Sequence, residues 1–183
     1  ISCFHKSSGA LLVTDSLIGI EANPPALFDL DPTPLLFHAR DRGDQPLEDT
    51  PQARLKGWAR LVLFASFLRP AVLDIPSLFD VIRFSFRPGL RTPKSHFGLF
   101  PFLWREGWEE STSELIGIEK PLVQVAPVLK RLVFPRAKRA LLEWLEEIRK
   151  LRGLRLLVSA HYSAKVPLNT ASVNVLVKKI SNE

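Results

Sequence analysis

Residues 1–18 read ISCFHKSSGALLVTDSLI. Two runs with apolar residues flank the polar turn Lys6-Ser7-Ser8-Gly9, and Gly9 suits the positive φ of a tight reversal. The pattern predicts a β-hairpin whose second strand, Ala10 to Thr14, ends at Asp15. Leu11, Leu12 and Val13 are consecutive, so this strand is expected to be central and covered on both faces. Cys3 lies in the first strand and is expected to be a buried structural thiol. His5, two positions on, is the base it would use if it were instead a nucleophile.

Working outward, the partner of this hairpin is sought near the other end of the chain. Residues 155–161, RLLVSAH, read as a strand ending at His161. Before it, a helix is predicted from Pro135 to about Arg152, stopped by Gly153. Ala140, Leu141, Trp144, Leu145, Ile148 and Leu151 give it one apolar stripe at helical spacing. After it, Asn169 or Thr170 caps a last amphipathic helix holding Val173, Leu176, Val177 and Ile180. The strands at 10–14 and 155–160 are expected to share one sheet, with helices at about 51–69 and 136–152 around it.

The middle of the chain is different. The chain has fifteen prolines against nine glycines, and all the prolines but Pro167 fall in 24–51, 70–101 and 121–135. Residues 22–50 are expected to form a long ordered loop packed by Leu27, Phe28, Leu30, Leu35, Leu36 and Phe37. Thr50-Pro51 then opens a helix, with Thr50 as N-cap and Pro51 as its first residue. Its second half, LVLFASFL, is apolar all round, which requires burial between layers or against a partner. A short helix from Ser77 groups Leu78, Phe79, Ile82 and Phe86 opposite Arg83 and Arg87. SHFGLFPFLWREGW, residues 95–108, reads as a minor hydrophobic core under a loop. Residues 122–134 read as a strand followed by a helix.

Net charge is +6 and the isoelectric point about 9.8. Acidic residues gather in 21–50 and basic ones in 54–105, an arrangement expected to pair across the surface. Positive charge without a motif is thin support for nucleic-acid binding, which is therefore disfavoured. The single Cys3 excludes an internal disulfide and fits a reducing compartment. No run of about 18 apolar residues occurs, so no membrane span is expected. The chain opens on Ile1 and contains no methionine, which reads as a processed or partial protein. The leftover apolar area of 54–105 marks a partner or membrane surface, with Phe79, Arg83, Phe86, Arg87 and Arg91 its expected contacts.

The most suggestive chemical pair is Asp15 and His161. Each ends an apolar strand, and that edge of a layered α/β fold collects ligand-binding groups. A carboxylate oxygen and an imidazole nitrogen suit zinc, iron or manganese. The other reading keeps Asp15 as a turn former and His161 as a capping or core residue. His5, His38 and His96 add no HxH, HxxxH or HExxH spacing, and there is no phosphate loop or GxSxG elbow. The catalytic residues stay unassigned.

ISCFHKSSGALLVTDSLI resembles the second-half hairpin of metallo-β-lactamase-fold proteins, where a strand ends in an Asp that bridges two metals. On this chain the match is LLVTD, hence Asp15. RLLVSAH with the Pro-containing loop after it resembles the last metal-binding strand of that superfamily, hence His161. A closer resemblance is to a cyanobacterial and plastid branch, a family of unknown function. Its marks are NPPALFDLDPTPLLFHARD, EDTPQARLKGWARLVLF, SHFGLFPFLWREGW and VAPVLKRLVF, in order to about Pro167.

The resemblance implies an α/β fold: the C-terminal part of a metallo-β-lactamase-like αββα sandwich, with a mixed sheet flanked by helices. Residues 1–183 would be one domain, and 22–120 a Pro- and aromatic-rich helical insertion within it. The superfamily's HxHxDH-like signature belongs to an N-terminal half that these residues do not match, and Thr14 stands where many active hydrolases have Gly. The implied function is a metal-dependent hydrolase of unknown substrate, with zinc, iron or manganese in the full-length protein and none bound tightly by this chain alone. The alternative is a catalytically degenerate binding or assembly subunit at a photosynthetic membrane complex. Its partners would be protein subunits or an anionic membrane surface. The implied compartment is the plastid (stroma or thylakoid surface) or the cyanobacterial cytoplasm.

Overall fold

The hairpin forms as its turn chemistry requires. Strands β1 (Ser2–His5) and β2 (Ala10–Val13) pair antiparallel, and Gly9 turns the chain at φ +65°. A Cβ at Gly9 would also lie 2.1 Å from the Gly153 carbonyl oxygen, so the position excludes a side chain twice over. The computed structural model describes residues 2–41, 45–66, 72–74, 77–79, 103–113, 115–117, 122–162 and 165–182. It divides the chain into two compact units, Ile1–Glu21 with Ile116–Glu183, and Ala22–Leu115. Among the described residues the architecture is mixed α/β, with one four-stranded mixed sheet and six α-helices.

The first unit is built on the sheet. β2 pairs parallel with β7 (Leu156–Ser159), Val13 opposite Ser159, and β7 pairs antiparallel with β8 (Val166–Pro167). The order is β1-β2-β7-β8. A short ladder joins β3 (Leu17–Ile18) to β6 (Gln124–Val125). Helix α4 (Pro127–Leu132) starts on Pro127, which serves as an N-terminal residue where its missing N–H costs nothing. Helix α5 (Phe134–Arg149) follows and departs from helical geometry at Ala137. Its stripe buries Leu141, Leu145 and Ile148 against Leu11, Leu157 and Val166. At about 1.5–3 kcal/mol for each fully buried aliphatic side chain, this stripe is a principal source of the unit's stability. Helix α6 (Thr170–Ser181) is capped by Asn169, whose Oδ1 accepts from the Ser172 N–H at 2.9 Å, and it adds Val173, Leu176 and Ile180 to the same core.

Two expectations for the sheet are corrected. β2 is not covered on both faces: Leu11 and Val13 are buried, but Leu12 between them is 41% exposed. Cys3, opposite Leu12 in the register, is exposed as well and is not a buried thiol. The side chains that alternate away from the helix-covered face therefore stand largely in the open.

The second unit is helical. Residues 22–50 are not an irregular loop throughout. They hold a 3-10 turn, Ala26–Asp29, and helix α1 (Thr33–Ala39). Leu35 and Leu36 are its buried residues, whereas Leu27 and Leu30, expected to pack the loop, are largely exposed. Helix α2 (Pro51–Ala65) starts as expected, the Thr50 side chain accepting from the Ala53 N–H at 3.1 Å. It packs on α1 and on α3 (Trp108–Ser113). Gly57 lets α2 approach α1, since a Cβ there would sit 1.9 Å from the Leu35 carbonyl oxygen. The second half of α2 is not uniformly buried: Val62 and Leu63 are, but Phe64 is exposed. A two-stranded ladder of β4 (Leu73–Asp74) and β5 (Leu103–Trp104) leads to α3.

The acidic and basic segments do pair. Arg54 bridges Asp29 at 2.9 Å and Asp49 at 2.6 Å, and Lys56 reaches Asp41 at 2.7 Å. No helix among the described residues is long and apolar enough to cross a membrane.

Candidate functional site

The parallel register of β2 and β7 explains where the two suspected ligands meet. Val13 lies opposite Ser159, and the pairing continues one step further, the Ala160 N–H donating to the Thr14 carbonyl at 3.2 Å. Asp15 and His161 are each the second residue beyond that matched pair. Both chains leave the sheet together, and the two side chains arrive side by side. His161 Nε2 stands 2.8 Å from Asp15 Oδ1. The side chains are 65% and 48% exposed, so the pair faces solvent and contributes little to stability as an ion pair.

Two features hold the histidine. The Ser159 hydroxyl, buried beneath the edge, donates to the His161 carbonyl oxygen at 2.7 Å. Tyr162, the next residue, has φ +64°, the left-handed region that a side chain disfavours. Because a non-glycine residue there costs on the order of 1 kcal/mol, Tyr162→Gly is expected to exceed Tyr162→Ala in stability by about that amount. Chemical denaturation followed through Trp144 measures the difference, and equal midpoints would contradict it.

The donor chemistry of the pair, one carboxylate and one imidazole, fits zinc, iron or manganese. The number does not. Catalytic zinc takes three protein ligands, and no group of three or more His, Cys, Asp or Glu side chains with metal-holding geometry occurs among the described residues. As it stands, the arrangement is a carboxylate–imidazole pair, in which the Asp15 carboxylate orients the ring through Nε2 and leaves Nδ1 for another contact.

Of the residues expected on a partner surface, Phe79 is 73% exposed, with Leu78 beside it 77% exposed. Arg83, Phe86, Arg87 and Arg91 lie outside the described residues. So do His96, Phe97, Phe100 and Phe102 of the aromatic segment, whereas Trp108 is buried, as a minor core requires. His5 sits on the exposed hairpin with Nδ1 2.8 Å from Ser8 Oγ. His38 belongs to the second unit, where burial first and the Arg60 guanidinium second push its pKa down to about 4.

The residue that sequence reasoning missed is Arg60. As one of the basic residues of 54–105 it is expected to pair with acidic ones across the surface, yet it is only 2% exposed. Its guanidinium donates to Asp41 Oδ1 at 2.6 Å and to the Arg40 carbonyl at 2.9 Å, and stacks against Trp104 and Trp108 at 5.1 and 4.7 Å. One signal was available: Arg60 is one turn beyond Lys56, and residues at that spacing share a helix face. Both reach the same carboxylate.

A family model described as a domain of unknown function (DUF4336) matches residues 1–178. No curated protein and no solved structure matches the chain.

Proposed function

The chain belongs to the DUF4336 family, and from that premise we propose that it is a metallo-β-lactamase-like domain contributing Asp15 and His161 to the site of a metal-dependent hydrolase. The observation that carries this reading is the 2.8 Å approach of Asp15 and His161 at one strand edge. Their positions, read from LLVTD and RLLVSAH, are those that the resemblance assigns to metal ligands. Two donors are fewer than a catalytic site requires, so such a site would need further ligands besides these two.

A metal at such a site would lower the pKa of bound water and supply hydroxide for attack on an ester, thioester or phosphodiester. The contribution of this chain is positional. Asp15 and His161 are delivered by paired strands, and Ser159 and Tyr162 fix the backbone that carries the imidazole.

The test is a titration with Zn²⁺ or Mn²⁺, followed through the ring resonances of His161 for Zn²⁺ and their broadening for Mn²⁺. The expected result is a response that Asp15→Ala abolishes. An imidazole that ignores millimolar metal would sink the reading.

A second reading is favoured by the exposure of Leu78 and Phe79: a catalytically degenerate binding or assembly subunit at a photosynthetic membrane complex. In a plastid or cyanobacterial cell such a subunit would meet protein partners or anionic lipid. It predicts flotation with anionic liposomes, lost on Phe79→Asp, together with an unresponsive His161.

A further inference from the structure

In the first unit, a cleft of about 370 Å³ lies between the edge of the sheet and α5. Phe134, Trp144 and Leu141 line it with the small Ala137 and Ala140, and among the described residues Ser2 and Ser16 supply its side-chain hydroxyls. Among the described residues no charged side chain lines it. The origin of the space is local. α5 departs from helical geometry at Ala137 (φ −129°, ψ 20°), and Ala137 and Ala140 put only methyl groups where larger residues would fill the gap. One lining side chain is fixed, since the Trp144 indole N–H donates to Ser2 Oγ at 3.1 Å.

We propose that this cleft is a binding site for a neutral aromatic group. Its volume is at the lower end of small-molecule sites and holds roughly ten to fifteen non-hydrogen atoms at interior packing density. Two aromatic lining residues, Phe134 and Trp144, favour a flat ring, since aromatic pairs attract beyond their buried area. The described lining carries no charge, which disfavours phosphates, carboxylates and amines, whose desolvation it would not repay. A larger hollow of about 660 Å³ along α5 carries no such argument: Lys138, Arg139, Glu143, Glu146, Glu147 and Lys150 line it, which is a solvated helix face.

The location adds meaning. Ser16 directly follows Asp15, and Ser2 pairs with Val13, so the cleft opens at the same end of β2 as the Asp15–His161 pair. The ring it holds is the non-reacting part of the substrate, an assignment that rests on the hydrolase reading above; the binding site itself does not.

The probe is 2-naphthol, titrated into the whole chain while the four tryptophan indole N–H resonances are followed. The expected result is saturable movement of the Trp144 signal, identified by its loss in Trp144→Phe. Ala140→Phe, at an exposed helix position that folds with either residue, fills the cleft and weakens binding on the order of tenfold or more. Ala140→Ser leaves the space open and keeps it. Asp15→Ala also keeps it, so naphthol binding beside a metal-silent His161 would remove the hydrolase and leave the aromatic site standing. Equal binding by Ala140→Phe and the unaltered chain would overturn the site. So would naphthol that moves Trp58, Trp104 or Trp108 and leaves Trp144 still.

Discussion

Gly57→Ala is expected to cost the 22–115 unit about 3 kcal/mol, the upper end of the usual overpacking range, although the same change in an isolated helix would gain nearly 1 kcal/mol. Alanine is the better helix former, and Gly57 sits in the interior of α2, where glycine is ordinarily a defect. The reason for it is the neighbouring helix. A Cβ would stand 1.9 Å from the Leu35 oxygen, 2.5 Å from its carbonyl carbon and 2.9 Å from its Cα. These are backbone atoms of α1, so no rotamer change relieves the clash and the two helices must part. Parting them uncovers Leu35, Leu36 and Val62, which are buried in the native unit. Chemical denaturation followed through Trp58, Trp104 and Trp108, all within this unit, gives the loss directly. A stabilised Gly57→Ala protein would mean that helix propensity, not the approach of α1, decides this position.

What could be read in advance follows from the range of the interactions involved. The hairpin rests on a four-residue turn that ends on Gly9, α2 starts on Thr50-Pro51, and α6 is capped by Asn169; each signal lies within a few residues of what it specifies. The pairing of Asp15 with His161 is non-local, yet it too was legible, because both end short apolar strands and parallel register places strand ends side by side. Exposure was less legible. Three consecutive apolar residues in β2 look the same whether one face or both are covered, and only the layers present decide that Leu12 stays open. The aromatic cleft was illegible for a related reason. It is made by a bend at Ala137 and by two small side chains, and small residues on a helix leave no periodic trace. Arg60 shows the opposite failure, where a charged residue was assigned to the surface by type while its surroundings place it inside.

Removing that guanidinium should have an effect comparable with that of Gly57→Ala, for a different reason. Arg60→Ala is expected to cost about 3 kcal/mol, because it leaves carbonyls at the end of α1 without their donor, at about 1–3 kcal/mol for a buried unsatisfied group, whereas Asp41 is half exposed and keeps Lys56. Arg60 ties down the C-terminal end of α1. Its Nη1 serves the carbonyls of His38, Ala39 and Arg40 at 3.3, 3.3 and 2.9 Å, and its Nη2 serves Asp41 at 2.6 Å. Those carbonyls are among the last of α1, which no further turn of helix can satisfy. The stacked Trp104 and Trp108 rings add cation–π attraction that is strongest when water is excluded. Arg60→Lys keeps the charge but offers a single ammonium in place of a planar fork, so it should recover less than half of the loss. Acid gives an independent readout. His38 has a folded pKa of about 4, below its ordinary 6.5, through burial first and Arg60 second. Its contribution to stability is therefore complete above pH 6.5 and is lost as pH falls towards 4. Asp41 adds to the same trend lower down: burial raises its pKa, but hydrogen bonds from Lys56 and Arg60 more than offset that and leave it lowered, so its stability is lost as it protonates. In Arg60→Ala both depressions shrink, and unfolding free energy measured from pH 7 down to pH 4 should fall less steeply than in the unaltered chain. A variant whose midpoint at pH 7 matches the native one, with the same acid slope, would show that the guanidinium is a passenger between the two tryptophans and that α1 ends without it.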